Sequence, residues 1–207
     1  MTLRHPDSAW NHDARKWLRS RDDRLSFIYD KVKNWDCAID CGAWAGWWTN
    51  ALAYRFGEVW AFEPITVNAA FCRLNNPMPH VNVVEVAVSD HIGSLKMAIK
   101  GANYGQATDQ IYRDNLDVTL GSDDTVTVQA TTVDTFRLSP GFIKIDVDGM
   151  NYRTLIGAVE TIKRSRPVIC IETKQEDIKL ISKFLKCYGY VMELKREPDE
   201  IWVCHLK

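Results

Sequence analysis

Two carboxylates at the ends of consecutive apolar segments carry the first chemical signal. Asp40 opens D-C-G-A-W-A-G at residues 40–46, and Glu63, in V-W-A-F-E-P, lies 23 residues further on. Gly42 and Gly46 lack side chains where a strand turns sharply into a helix and where a ligand would press on the backbone, with Ala43 and Trp44 inside the turn. Glu63, followed by Pro64, is placed to accept from both hydroxyls of a ribose, each charge-assisted bond contributing about 1.5–3 kcal/mol. A glycine turn alone is ordinary structure; joined to an acid at this distance it reads as a nucleoside site. Dinucleotide sites carry G-x-G-x-x-G, but here Asp40 replaces the first glycine and the last is displaced by one residue, to Gly46. A carboxylate repels pyrophosphate and suits an amino acid's ammonium, which points to S-adenosylmethionine rather than NAD.

A second pair, Asp146 and Glu172, closes two later apolar segments. Either acid is a candidate base for an alcohol acceptor, a role typically contributing ~10²–10⁴-fold. The same oxygens would suit Mg²⁺ or another hard cation that lowers the acceptor's pKa, although no metal site has a recognisable spacing. Lys144 shares a strand face with Asp146, one pleat below, and a lysine in a central strand is costly unless paired. A structural ion pair is its first reading and a catalytic role its second. Trp44, Trp47 and Trp48 suit core packing, with Trp44 the best ligand contact. Asn103, Tyr104 and Gln106 sit in a polar loop that would order over a substrate or remain a solvated connection, and His91 reads first as a surface-loop histidine and second as an acid/base group.

These groups need a scaffold. Short apolar segments at 37–41, 58–62, 82–88, 142–147 and 167–172 alternate with helical patterns at 46–56, 66–76, 152–164 and 175–187, as in a parallel sheet covered by helices. Residues 8–33 form an amphipathic pattern, Trp10, Ala14, Trp17, Leu18, Leu25, Ile28 and Val32, that caps the main fold. Between 93 and 135 two further strands are expected around a mobile loop. At the C-terminus, apolar and polar residues alternate on either side of R-E-P-D-E, the pattern of an antiparallel hairpin. The reading is an extension at 1–35 and one domain at 36–207, with the 93–135 insertion between its third and fourth strands.

The 207 residues suit one compact domain, and a net charge of -1 supplies no global field for nucleic acid or acidic lipid. No secretory leader or membrane-spanning stretch is recognisable, and the six cysteines show neither C-x-x-C nor metal-ligand spacing, so a cytoplasmic protein with reduced thiols is expected.

D-C-G-A-W-A-G, V-W-A-F-E-P, A-V-S-D-H-I-G at 87–93, and V-D-T-F-R-L-S-P-G-F-I-K-I-D-V-D-G-M-N with R-P-V-I-C-I-E after it resemble FkbM family methyltransferases. The resemblance spans about residues 36–172. It implies a Rossmann-like α/β fold, a mostly parallel seven-stranded methyltransferase sheet with helices on both faces, closed by the C-terminal antiparallel hairpin. It also implies methyl transfer from S-adenosylmethionine, most often to oxygen, on a small-molecule or sugar (glycan) acceptor. Carried over by position, Asp40 to Gly46 would surround the methionine part, Glu63 the ribose, Ala87, Val88, Ser89 and Asp90 the adenine, and Asp146 the sulfonium. The family has Glu where this chain has Asp148, and again where it has Asn151. Two alternatives stand beside this reading. One is an RNA ribose 2′-O-methyltransferase using Lys144, Asp146, Glu172 and Lys174, against which the near-neutral charge argues. The other is a non-catalytic nucleoside-binding module, with Asn151 reporting lost chemistry. Neither the acceptor nor an oligomeric state has a recognisable code in the extension or the insertion.

Overall fold

The computed structural model describes residues 22–99, 107–109, 125–173, 177–196 and 198–206. Trp10, Ala14, Trp17, Leu18, Asn103, Tyr104, Gln106 and Lys174 lie outside these residues. Of the helical stretch expected at 8–33, the described part holds α1 (Asp22–Lys31).

The apolar segments form β1 (Cys37–Cys41), β2 (Glu58–Phe62), β3 (Val81–Val84), β8 (Phe142–Ile145) and β9 (Val168–Glu172). The terminal hairpin supplies β10 (Tyr190–Arg196) and β11 (Asp199–Cys204). Together they make one seven-stranded sheet in the order β10-β11-β9-β8-β1-β2-β3, parallel except where β11 pairs with β9 and β10. Helices α2 (Trp47–Ala53), α3 (Thr66–Asn75) and α6 (Ile178–Cys187) fall where the helical patterns were read.

Register decides what each face of the sheet carries. Ala38 pairs with Phe142, Phe142 with Val168, and Ile201 with Cys170, so these side chains share one face with Val59. That face packs against Ile28 and Val32 of α1 and Trp48 and Leu52 of α2. Ile39, Ile143, Ile145, Ile169 and Ile171 point to the other face, under Leu155, Ile162, Ile181 and Leu185. Because side chains alternate with a period of two, Asp40, Lys144, Glu172 and Asp199 belong to the first face, beyond its apolar rows.

Two expectations are corrected. The helix read at 152–164 is two, α4 (Asn151–Ile156) and α5 (Val159–Ser165). The break follows from Gly157, whose carbonyl accepts from Asp134 N at 3.0 Å, while the Asp134 carboxylate caps α5 through Glu160 N (3.0 Å) and Thr161 N (2.7 Å). The insertion is also more than two strands. The segment read as one strand at 82–88 divides after Val84, where Val86 N turns back onto its carbonyl. The remainder, β4 (Ala87–Val88), joins β5 (Gly93–Ile99), β6 (Ala107–Asp109) and β7 (Thr125–Thr131) in a separate sheet of order β4-β7-β5-β6.

A Cβ on Gly157 would stand 1.9 Å from the Ser89 carbonyl oxygen, whereas one on Gly93 would meet the His91 ring at 3.5 Å. Gly157→Ala is therefore expected to cost about 2–3 kcal/mol of stability in urea unfolding, the scale of overpacking, and Gly93→Ala almost nothing.

Candidate active site at the carboxyl edge of the sheet

Asp40 is almost wholly buried, and its two oxygens are treated differently. Oδ2 accepts from Thr49 Oγ1 at 2.6 Å, while Oδ1, shielded from solvent, has no hydrogen-bond partner among the described residues. Burial pushes the carboxyl up to about 6, against the pull of Thr49 and of the Lys144 ammonium on the neighbouring strand. A buried acceptor without a donor is costly, by about 1–3 kcal/mol, so a ligand donor would be stabilised there. An amino acid's ammonium fits that requirement.

Glu63, one strand away, is equally buried and serves as a brace. Oε2 accepts from Trp44 N at 2.9 Å, and Oε1 from Ile65 N at 3.0 Å and Asn68 Nδ2 at 3.3 Å. It thus ties the glycine turn to the start of α3. A carboxylate offers about four acceptor sites, so one on Oε2 stays available after these three bonds. Burial lifts this carboxyl to about 7, and the three hydrogen bonds only partly oppose it.

The turn between them is built by close approach. A Cβ on Gly42 (φ 82°) would meet the Asp146 carbonyl oxygen at 2.0 Å, and one on Gly46 (φ 82°) would meet Asn76 Nδ2 at 2.2 Å. Both glycines are thus required by protein neighbours, β8 in one case and α3 in the other, before any ligand is considered. Trp44 adopts a left-handed φ of 50° between them and is half-buried, while Trp47 and Trp48 are packed inside. Ala43 is buried against Ala61 and Cys72.

Lys144 is fully buried, with Nζ 2.8 Å from Asp199 Oδ1 and 3.4 Å from Asp146 Oδ2. Burial opposes its charge, and Asp146, Cys170 and Asp199 overcome that opposition, holding the ammonium protonated above the ordinary lysine range. This is the ion pair that the first reading expects. Asp146 itself is 40% exposed at its side chain, and Glu172 ends the adjacent strand half-buried.

Asn151 explains its own departure from the family pattern. Its Oδ1 accepts from Val147 N at 2.8 Å and its Nδ2 donates to the Glu172 carbonyl at 3.0 Å, joining the ends of β8 and β9. A glutamate carboxylate would supply no donor for that carbonyl.

Ala87, Val88 and Ser89 are buried with their polar groups engaged inside the protein. Ala87 and Val88 pair with β7, Ser89 N donates to Thr131 O, and Val88 O accepts from Thr154 Oγ1. Burial works against charge on Asp90, but hydrogen bonds from Arg153 and His91 prevail and hold its carboxyl down at about 2. Beside Pro64, a concavity of about 490 Å³ is walled by Ile65, Val67, Val126 and Val128. Thr49, Asn68, Arg153 and Asp199 were not singled out from the sequence. Arg153 and Asp199 act through contacts more than fifty residues away, which no local spacing marks, whereas Thr49 and Asn68 lie within nine residues of the acids they serve, on the helix that follows each strand.

Among the described residues, no group of three or more His, Cys, Asp or Glu side chains converges to hold a metal ion, and no helix is long and apolar enough to cross a membrane. All six cysteines are free thiols, four of them buried, with Cys187 exposed.

The sheet order is that of the Rossmann-like methyltransferase fold. The Methyltransferase FkbM domain model matches residues 40–192, and the chain belongs to that family. A methyltransferase FkbM structure from Methylobacillus flagellatus KT superposes with a TM-score of 0.59 at 15% identity, covering 97% of this chain. The chain spans 56% of that protein's length. The precorrin 8w decarboxylase structure from Methanobacterium thermoautotrophicum gives 0.51 at 11% identity, over 89% of this chain and 90% of its own. A Streptococcus mutans protein described as a methyltransferase, solved in complex with SAH, gives 0.50 at 11% identity, over 87% and 94%. At these identities the structures share the fold. No curated protein matches the sequence.

Because burial raises Asp40 to about 6 and Glu63 to about 7, the folded chain holds protons there that the unfolded chain releases above about pH 4. Stability contributed by these groups is therefore lost as pH rises from about 4 to about 7. Asp40→Asn should flatten that decline, by on the order of 2–3 kcal/mol, when urea midpoints are compared across the window.

Proposed function

We propose that this chain transfers a methyl group from S-adenosylmethionine to a hydroxyl of a small-molecule or sugar acceptor, in the cytoplasm. The observation that carries the reading is the buried, unpartnered Asp40 Oδ1 beside Glu63 at the carboxyl edge of the sheet. Asp40 would receive the ammonium of the methionine part, and the turn through Gly42, Ala43, Trp44 and Gly46 would follow its backbone. Glu63 would take a ribose hydroxyl on its remaining Oε2 site. The concavity beside Pro64, lined also by Thr66, Glu85, Thr127 and Gln129, would hold the adenine, with Ala87 to Asp90 on that side and Ala87 and Val88 paired to β7.

When bound, S-adenosylmethionine supplies a methyl carbon activated by positive sulfur. The chain has then to align the acceptor with that carbon, which alone can supply roughly 7–11 kcal/mol of barrier reduction. Asp146, partly exposed and fixed from below by Lys144, would take the acceptor's proton, with Glu172 on the next strand as its neighbour. The two acids are assigned here to proton transfer; the same pair of carboxylates would also suit Mg²⁺, which would lower the acceptor's pKa.

One observation favours an anionic acceptor, RNA included. A groove of about 1190 Å³ between α6 and the β10–β11 hairpin carries Lys179, Lys183 and Lys186, with Lys195 paired to Glu200 at 3.3 Å, but it is lined by Trp202 on the face of the sheet opposite Asp146. Against the RNA reading, Lys144 lies fully buried on Asp199, out of reach of a ribose hydroxyl.

Labelled S-adenosylmethionine should transfer its methyl to one of three pools, glycans, small alcohols or RNA, and assays with and without chelator report whether a divalent cation takes part. Steep salt dependence in the RNA pool would establish the second reading. In calorimetry, Glu63→Ala should weaken cofactor binding about 10- to 100-fold. Equal affinity would remove the ribose assignment. Asp146→Asn should bind cofactor normally and lose product formation by at least ~100-fold; binding without transfer in the wild type as well would mark a non-catalytic module.

A further inference from the structure

Four charges of alternating sign run from the N-terminal helix into the site. Arg24 Nη1 of α1 pairs with Asp199 Oδ2 at the start of β11; Asp199 Oδ1 accepts from Lys144 Nζ at 2.8 Å; the same ammonium lies 3.4 Å from Asp146 Oδ2. Exposure rises only at the last member: the side chains of Arg24, Asp199 and Lys144 are 11%, 2% and 0% exposed, and that of Asp146 is 40%. Arg24 and Asp199 both lie outside residues 40–192, the part that matches the family.

We infer that Arg24 is a positioning residue for the methyl-transfer site, acting through Asp199 and Lys144 to fix the carboxylate of Asp146. The physical reason is competition for one flexible side chain. A lysine has three donors on a four-carbon stem, and inside the sheet its ammonium goes where anions hold it. Asp199 sits opposite Glu172 in register and would be free to re-aim if only Lys144 held it. The guanidinium engages its second oxygen and leaves Oδ1 pointing at Nζ. Lys144 is thereby held between Asp199 and Asp146 rather than drawn toward Asp40, its pair in β1. Two further contacts place α1 against the hairpin, Arg196 to Asp23 at 3.1 Å and Lys31 to Glu193 at 2.7 Å, so the helix reaches Asp199 in a defined pose.

This rests on the proposed role of Asp146, and the test separates the two. A double-mutant cycle of Arg24→Gln and Asp146→Asn is read first by unfolding midpoint, which needs no acceptor. The shift caused by Arg24→Gln should shrink by half or more in the Asp146→Asn background; full additivity overturns the inference whatever the activity proves to be. With an acceptor in hand, Arg24→Gln should lower kcat about 10- to 100-fold with little change in KM for the cofactor. It should add no further loss to Asp146→Asn. Arg24→Lys, which keeps a cation opposite Asp199, should recover most of kcat and also serves if Arg24→Gln fails to fold. An Arg24→Lys enzyme no faster than Arg24→Gln, or a kcat unaffected by either, would also overturn it. Coupled midpoints with no transfer to any acceptor would leave the network standing and remove the methyl-transfer reading alone.

Discussion

A lysine ammonium taken wholly out of water inside a β-sheet must be met by anions, and this requirement organises the protein around Lys144. Desolvating an ion costs several kcal/mol even after relaxation, and only well-placed partners offset it. Asp199 supplies one from the terminal hairpin and Asp146 another from the end of the lysine's own strand. The hairpin therefore closes the sheet as more than two extra strands: it delivers the counter-charge that makes a lysine tolerable in a central strand. The N-terminal helix is drawn into the same arrangement through Arg24, and Trp48 lies with its ring 5.4 Å from the ammonium, covering it on the apolar side.

Beyond this point along the same face, the sheet changes from apolar rows to carboxylates. Asp40 and Glu63 are held where water is scarce, and burial makes their charged forms expensive. The two are not equivalent. Three hydrogen-bond donors engage Glu63, which makes it as much a strut for the glycine turn as a ligand group. Asp40 keeps one buried oxygen without a donor among the described residues. An asymmetry of this kind is what a site for a zwitterionic nucleoside would need, since the ammonium interaction is the one the protein leaves unmet.

The element pattern was legible in residues 36–99 and 125–206 because apolar runs and crossover helices leave local periodicities. The helix at 152–164 was misread for a reason outside its own segment. Gly157 is needed by the Ser89 carbonyl, and Asp134 caps the second half from a distant turn, so a continuous periodicity concealed a break. The small sheet was likewise illegible, because the pairing of Ala87 and Val88 with Ala130 and Thr131 joins residues more than forty positions apart.

Of the site, residue type and spacing determined which groups stand at strand ends: Asp40, Glu63, Asp146 and Glu172, with the glycines between the first two. That follows from chain chemistry, since a strand's end and a glycine turn are local. Whether each acid is exposed, braced or ion-paired was decided only by tertiary structure. Asp90 was taken by Arg153, Asn151 became a tie between strands, and Lys144, whose pairing the sequence already suggested, gained Asp199, because partners separated by tens of residues compete for each group. Burial and long-range hydrogen bonds set the charge and direction of a side chain, and neither is written in its neighbours along the sequence.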